Sequence, residues 1–218
     1  MTAFDKVAGV YDAMYRDRRS VAENAVLRRY VEALRGLRLL DVGCGTGLVL
    51  DLLGGFGWSE FYVGMDVSEE MLNLAQEKHP YAWFRQHDMC VPYEADVEAI
   101  TSFFALNYVG GMSAAYQAVA NMRTILPEDG YVMAVVAGPR RAQEAIIPPA
   151  DVFFTVEDCY GMFSAFRDVE VRGLSIMTPW LPGALPQRAF NAVAEWEHRL
   201  ISRHVPECGY FMIVTGRG

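Results

Sequence analysis

The sequence has no surplus of positive charge, no paired cysteines and no long apolar run, and each absence removes a class of function. Over 218 residues the formal net charge is -8. A chain of that sign repels phosphate backbones, so broad electrostatic binding to DNA or RNA is disfavoured. Its densest basic cluster, Arg16, Arg18 and Arg19, reads as solvated surface. Cys44, Cys90, Cys159 and Cys208 stand far apart and none forms a Cys-x-x-Cys pair, so neither a metal site nor a redox motif is suggested. Unpaired cysteines fit a reduced, cytoplasmic compartment. No stretch approaches the roughly 20 apolar residues of a membrane helix, and the opening residues, with Asp5 and Lys6, lack the apolar core of a signal peptide. Neither an internal repeat nor a low-complexity linker is visible. What is present is 52% hydrophobic and 21% charged, the balance of a soluble α/β protein long enough to bury the core of one domain.

Along the chain, short apolar runs alternate with helical patterns. Residues 1–36 read as helical, with Ser20 as an N-cap and Glu23 completing a capping box before Val21, Ala25, Leu27, Val31 and Leu34 form an apolar face. The earlier piece from Phe4 to Asp12 is amphipathic and aromatic, suited to folding over strand ends as a lid. Strands are expected at 37–42, 60–66, 81–86, 96–104 and 131–137, with helices at 48–53, from Ser68 toward Pro80, and at 112–126. Regular alternation of this kind builds a parallel sheet with helices on both faces. The remainder departs from it. A loop over 138–154 is followed by a helix capped by Thr155, a strand over 168–177, a proline-rich connection, a helix at about 187–203 and a last strand over 209–215.

The stretch from Leu37 to Gly47 organises the rest. A buried apolar strand ends at Asp41, and Gly43, Cys44, Gly45, Thr46 and Gly47 then form a tight turn into the next helix. A dinucleotide fingerprint requires Gly-x-Gly-x-x-Gly. Counting from Gly43 the third position is Leu48, and counting from Gly45 it is Leu50, so the fingerprint fails. A phosphate loop requires Gly-Lys-Ser/Thr, and no lysine is present there. Instead Asp41 brings a carboxylate, which suits a ligand with a cationic amino group and no phosphate. Asp66 ends the second strand 19 positions beyond Gly47. An acid about 20 residues past such a loop is placed to accept ribose hydroxyls. Asp88 follows the third strand. A glycine-rich loop alone is often only a turn, whereas acids at the ends of successive strands beside it mark a cofactor site.

With Leu39–Gly47, Asp66 and Asp88 in place, the sequence resembles the class I S-adenosylmethionine-dependent methyltransferases over about residues 35–138. The resemblance implies a Rossmann-like, seven-stranded, mostly parallel sheet with helices on both faces and the last strand antiparallel. Residues 37–138 would be the cofactor-binding core of a single domain, 1–36 a helical lid, 139–208 substrate-side loops with an inserted helix, and 209–218 the final strand. S-adenosyl-L-methionine would be the cofactor. Asp41, Gly43, Cys44, Gly45 and Gly47 would cradle it, Asp66 would take the ribose, Val67 would lie beside the adenine, and Asp88 would accept from the adenine amino group. The Met89 backbone N–H and the Phe103 carbonyl would complete the site, with Met71 nearby. Met71 and Met89 also suit plain core packing.

The fourth strand speaks to the acceptor. Methyltransferases of nucleic-acid bases usually carry Asn/Asp-Pro-Pro-Tyr/Phe there, and this chain has Phe103-Phe104-Ala105-Leu106. The local pattern resembles small-molecule methyltransferases of the ubiquinone and menaquinone biosynthesis type, and Phe4-Asp5-x-x-Ala8-x-x-Tyr11-Asp12 is similar to their lid. Asn107 and Tyr108 stand where that group often has two histidines. Tyr11, Asn107 and Tyr108 are therefore the catalytic candidates. Tyr15 joins them in the pocket, Trp180 and His204 lie further out, and Asp12 reads as a solvated charge. Arg140 and Arg141 read as part of a solvated loop, with binding of an acidic substrate as the alternative. The expected reaction is methylation of O or N on a small organic acceptor, with no nucleic acid or membrane partner and the oligomeric state open. Its rivals are a methyltransferase of protein or RNA, a non-catalytic cofactor-binding protein, and a dehydrogenase, the last opposed by the failed glycine spacing.

Overall fold

The structure, a computed structural model, describes residues 2–55, 61–143 and 149–218. Among these, seven strands join one sheet: β1 (Leu39–Val42), β2 (Tyr62–Asp66), β3 (Trp83–Gln86), β4 (Ala99–Phe103), β5 (Tyr131–Ala137), β6 (Arg167–Leu174) and β7 (Phe211–Arg217). Their order is β3-β2-β1-β4-β5-β7-β6. The first five run parallel, and β7 inserts antiparallel between β5 and β6. This is the expected Rossmann-like sheet. The helices are α1 (Ala8–Met14), α2 (Arg18–Glu32), α3 (Leu48–Leu53), α4 (Glu69–Lys78), α5 (Met112–Ile125), α6 (Val156–Met162) and α7 (Gln187–Leu200).

Period-2 alternation divides the central strands between two apolar cores. Leu40 and Val42 of β1, Ile100 of β4, Val132, Ala134 and Val136 of β5, and Met212 and Val214 of β7 face one side, where α5 and α6 bring Val119, Met122 and Cys159. Leu39, Ala99, Met133, Val135 and Ile213 face the other, where α2, α3 and α7 bring Leu27, Leu50 and Phe190. Strands covered on both faces are continuously apolar, so β1, β4 and β5 stand out in the sequence.

Several boundaries move. The second strand starts at Tyr62, and Glu60 lies outside the described residues. The fourth is Ala99–Phe103, because Phe104 adopts a left-handed backbone with φ 59°. The sixth stops at Leu174, ahead of Ser175 at φ 58°. The seventh runs on to Arg217. The cap of α2 is also corrected. Asp17, not Ser20, accepts the Arg19 and Ser20 backbone N–H groups. The helix thus begins two residues before Ser20, which puts Glu23 beyond its free N–H groups. Glu23 is buried instead and accepts a hydrogen bond from the Ser175 hydroxyl. At α6, Thr155 does cap, in a full capping box with Asp158.

Parallel pairing puts the carboxyl ends of β1, β2, β3 and β4 on one edge of the sheet. The crevice outside those ends is where open α/β sheets bind ligands.

Candidate active site

The loop after β1 is pinned by its backbone. Gly43 and Cys44 donate N–H groups to the Met65 carbonyl at 2.6 and 3.0 Å. Gly43, Gly45 and Gly47 have φ of 74°, 54° and 90°, the left-handed region that glycine enters at no steric cost. At Gly43 space alone also demands it, since a Cβ there would lie 2.3 Å from the Ala105 Cβ and 2.9 Å from the Met89 Cε.

Asp66 closes the loop from the neighbouring strand. One carboxylate oxygen accepts the Gly45 N–H at 2.8 Å and the other the Ser68 N–H at 2.9 Å. Burial pushes its pKa up, against those two hydrogen bonds. Around it opens a cavity of about 390 Å³ lined by Gly43, Gly45, Asp66, Val67, Met71, Asp88, Met89 and Phe103, with Phe4, Tyr11 and Tyr108 from the lid side. That volume suits a ligand pocket, for which about 300–1,000 Å³ is usual. Eight of the eleven expected cofactor residues thus meet at one wall.

The other three stand behind it. Asp41 is 1% exposed, accepts the Tyr62 and Thr101 hydroxyls at 2.9 and 2.8 Å, and has its pKa pushed up to about 7 by burial. Its carboxylate therefore braces the sheet beneath the loop and does not line the cavity, a correction to the expected direct contact. Cys44 is buried as well. Gly47 caps α3 in a left-handed conformation, and a Cβ there would meet the His79 ring at 3.0 Å.

A second cavity, of about 380 Å³, adjoins the first. Tyr11, Phe104 and Tyr108 line both. Tyr15, Asp12, Glu23, Arg141 and Phe211 belong to the second. Burial raises the Tyr11 pKa well above 10 and pushes Tyr108 up to about 12. Both phenols therefore stay protonated near neutral pH and offer hydrogen-bond donors, not bases.

Asn107 also reaches this wall but is spent on the backbone. Its Nδ2 donates to the Val152 and Ala137 carbonyls at 2.7 and 3.2 Å, and its Oδ1 accepts the Ala137 N–H at 2.8 Å. Through these bonds it clamps the end of β5. Trp180, 70% exposed, and His204, also exposed, line neither cavity. Asp12, expected as a solvated charge, is a tie: it accepts the Thr46 hydroxyl at 2.5 Å and pairs with Lys78 at 3.0 Å. Asp5 similarly accepts the Ser68 hydroxyl at 2.5 Å. Together they fasten α1 across the loop and the start of α4. Arg141 is 8% exposed and walls the second cavity, so the solvated-loop reading fails for it, while Arg140 donates to the Cys208 carbonyl. Phe104, Glu23 and Phe211 were missed in the sequence. Only the break in apolar alternation at Phe103-Phe104 hinted at one of them.

Residues 40–134 match the methyltransferase domain family. Among curated proteins, the chain is 25% identical over 153 residues to a malonyl-[acyl-carrier protein] O-methyltransferase of a Methylovorus species, covering 65% of this chain and 51% of that one. The chain spans about half the length of the curated relatives it matches. Among solved structures, it superposes on an S-adenosylmethionine-dependent methyltransferase of Thermotoga maritima, described as a possible histamine N-methyltransferase, with TM-score 0.68, 16% identity and coverage of 99% of this chain and 97% of that one. It also superposes on the N-methyltransferase NodS of Bradyrhizobium japonicum, bound to S-adenosyl-L-homocysteine, with TM-score 0.64, 13% identity and coverage of 93% and 89%. These structural likenesses concern the fold, and the sequence match is to a methyltransferase domain over residues 40–134, a little under half of the chain.

Proposed function

We propose that the protein transfers a methyl group from S-adenosylmethionine to O or N of a small organic acceptor. The observation that carries this reading is the junction of the two cavities. One is walled by the glycine loop, Asp66 and Asp88, the other by the lid and the chain after β5, and they meet at Tyr11, Phe104 and Tyr108. Gly43, Gly45, Asp66, Val67, Asp88, Met89 and Phe103 would hold the cofactor. When bound, it supplies an electrophilic methyl group on a sulfonium. The chain's own contribution is then proximity and orientation, which bring an acceptor lone pair into line. Tyr11 and Tyr108, protonated at neutral pH, position the acceptor through their hydroxyls. Asp41 acts from behind by fixing Tyr62 of β2 to Thr101 of β4. Five aromatic side chains along the second cavity, Tyr11, Tyr15, Phe104, Tyr108 and Phe211, support a small organic acceptor, and net charge of -8 argues against an RNA acceptor.

Calorimetric titration with S-adenosylhomocysteine and with NAD tests the cofactor assignment. Binding of the former alone is expected. Asp66→Ala should weaken it by roughly tenfold or more, the scale of one lost charge-assisted hydrogen bond. No binding of S-adenosylhomocysteine to the intact protein would refute the reading.

A further inference from the structure

We propose that Phe104 selects the acceptor: its ring, turned into the junction by a strained backbone, restricts methyl transfer to an O or N carried on a slender, unbranched end. This rests on the methyl-transfer reading above and narrows its acceptor. Alternation along β4 sends Ala99 and Phe103 to one core and Ile100 to the other. An extended Phe104 would follow Ile100. Instead its φ of 59° turns the ring to the side of Phe103, and both pack against the same core.

Among the described residues, the other non-glycine positions with left-handed backbone are Asp168 and Ser175, both small and polar. A phenylalanine is a true outlier there, and such a conformation persists only where its surroundings hold it. The Phe104 N–H donates to the Val135 carbonyl at 2.8 Å. The next residue, Ala105, is wedged against the glycine loop, since a Cβ on Gly43 would lie 2.3 Å from its own. The ring packs edge-on against Phe103, with centroids 6.4 Å apart, and against Phe211 at 4.9 Å. Phe103 lines the first cavity and Phe211 the second, whereas Phe104 lines both. Its ring therefore stands as the partition where the cavities meet. Tyr11 and Tyr108 share the frame, and Phe4 braces them edge-on at 6.1 and 4.9 Å. A frame packed in this way resists widening to admit a branched group.

The test uses nitrogen analogues of S-adenosylmethionine in which an amine replaces the sulfonium and carries either a methyl or a cyclohexylmethyl group. In calorimetric titration of the intact protein, the methyl analogue is expected to bind roughly tenfold or more tightly than the bulky one. Phe104→Ala and Phe104→Gly should erase or invert that ratio, and Phe104→Leu should narrow it. A residue that only supported the fold would weaken both analogues alike and leave the ratio standing. Phe104→Gly should also unfold about 2–4 °C above Phe104→Ala, the reverse of their usual order. The proposal is overturned if both analogues bind the intact protein equally, if the ratio survives in Phe104→Ala and Phe104→Gly, or if Phe104→Ala unfolds at or above Phe104→Gly. Should those two variants not fold, an unchanged ratio in Phe104→Leu overturns it. Binding of S-adenosylhomocysteine without binding of the methyl analogue would overturn the placement of the methyl group at this junction. Failure of S-adenosylhomocysteine to bind the intact protein would instead strike the methyl-transfer reading itself.

Discussion

Removing the Asp12 carboxylate should loosen the lid without disturbing the loop beneath it. In Asp12→Ala the Thr46 hydroxyl loses its acceptor and Lys78 loses one of two partners, while Asp51 at 2.9 Å still holds Lys78 and Asp5 still holds Ser68. A hydrogen bond to a charged group is worth about 1.5–3 kcal/mol when buried. The Asp12 side chain is 40% exposed, so solvent screening brings that toward about 1 kcal/mol, and the Lys78 pair adds about 0.5 kcal/mol. A total of about 1.5 kcal/mol lowers the closing constant of α1 roughly tenfold. Hydrogen exchange of the peptide spanning residues 4–14 reads this directly as a roughly tenfold loss of protection, against unchanged protection in β1 and β4. Asp12→Asn, which keeps an acceptor for Thr46, should show about half the effect on the logarithmic scale. Affinity for S-adenosylhomocysteine should fall by a smaller factor, because only the open fraction of the lid is lost to binding. Unchanged exchange over residues 4–14 in Asp12→Ala would refute the tie, and loss of protection spreading into β1 would show that Asp12 supports the sheet instead.

Two further outcomes follow from buried groups. Asp41 has a folded pKa of about 7 against an ordinary value of 3.8, so the folded state holds a proton that the unfolded state has released. Its contribution therefore falls as pH rises through that window and levels off above about 7, by about 2 kcal/mol between pH 5.5 and 8. Urea unfolding of Asp41→Asn at those two pH values should show that much less pH dependence than the parent, and equal slopes would contradict the assignment. Asn107→Ala strips the buried Ala137 N–H and the Val152 carbonyl of their Asn107 partner, while the Ala137 carbonyl keeps the Phe154 N–H, so stability should drop by about 2–3 kcal/mol in urea unfolding. An unchanged midpoint would return Asn107 to the catalytic candidates.

What could be read before folding was what depends on neighbours in sequence. Leu39, Leu40 and Val42 are apolar because both faces of β1 are covered, and the glycines after them mark a turn whatever surrounds it. Asp66 was legible by its distance from that turn, since a βαβ unit has a narrow range of lengths. Asp41 shows the limit of the same reasoning. An acid before a glycine loop looks like a ligand contact, but only the register Asp41↔Gly64 and Asp41↔Thr101 places Thr101 against it, and a long-range partner from β2 completes the cage. The Ser20 cap failed for a milder reason, as Asp17 competed for the same N–H groups and a charged acceptor at a helix start prevails. The second cavity was nearly invisible because its wall draws on α1, α2, α3, the end of α4, the segment after β4, the turn after β5 and the start of β7, which lie far apart in the sequence. Insertion of β7 between β5 and β6 puts Phe211 opposite Ala137 and so carries an aromatic ring to the foot of Arg141. The glycine loop of the first cavity is thus written in one local motif, whereas the wall of the second is set by the packing of segments far apart in the sequence.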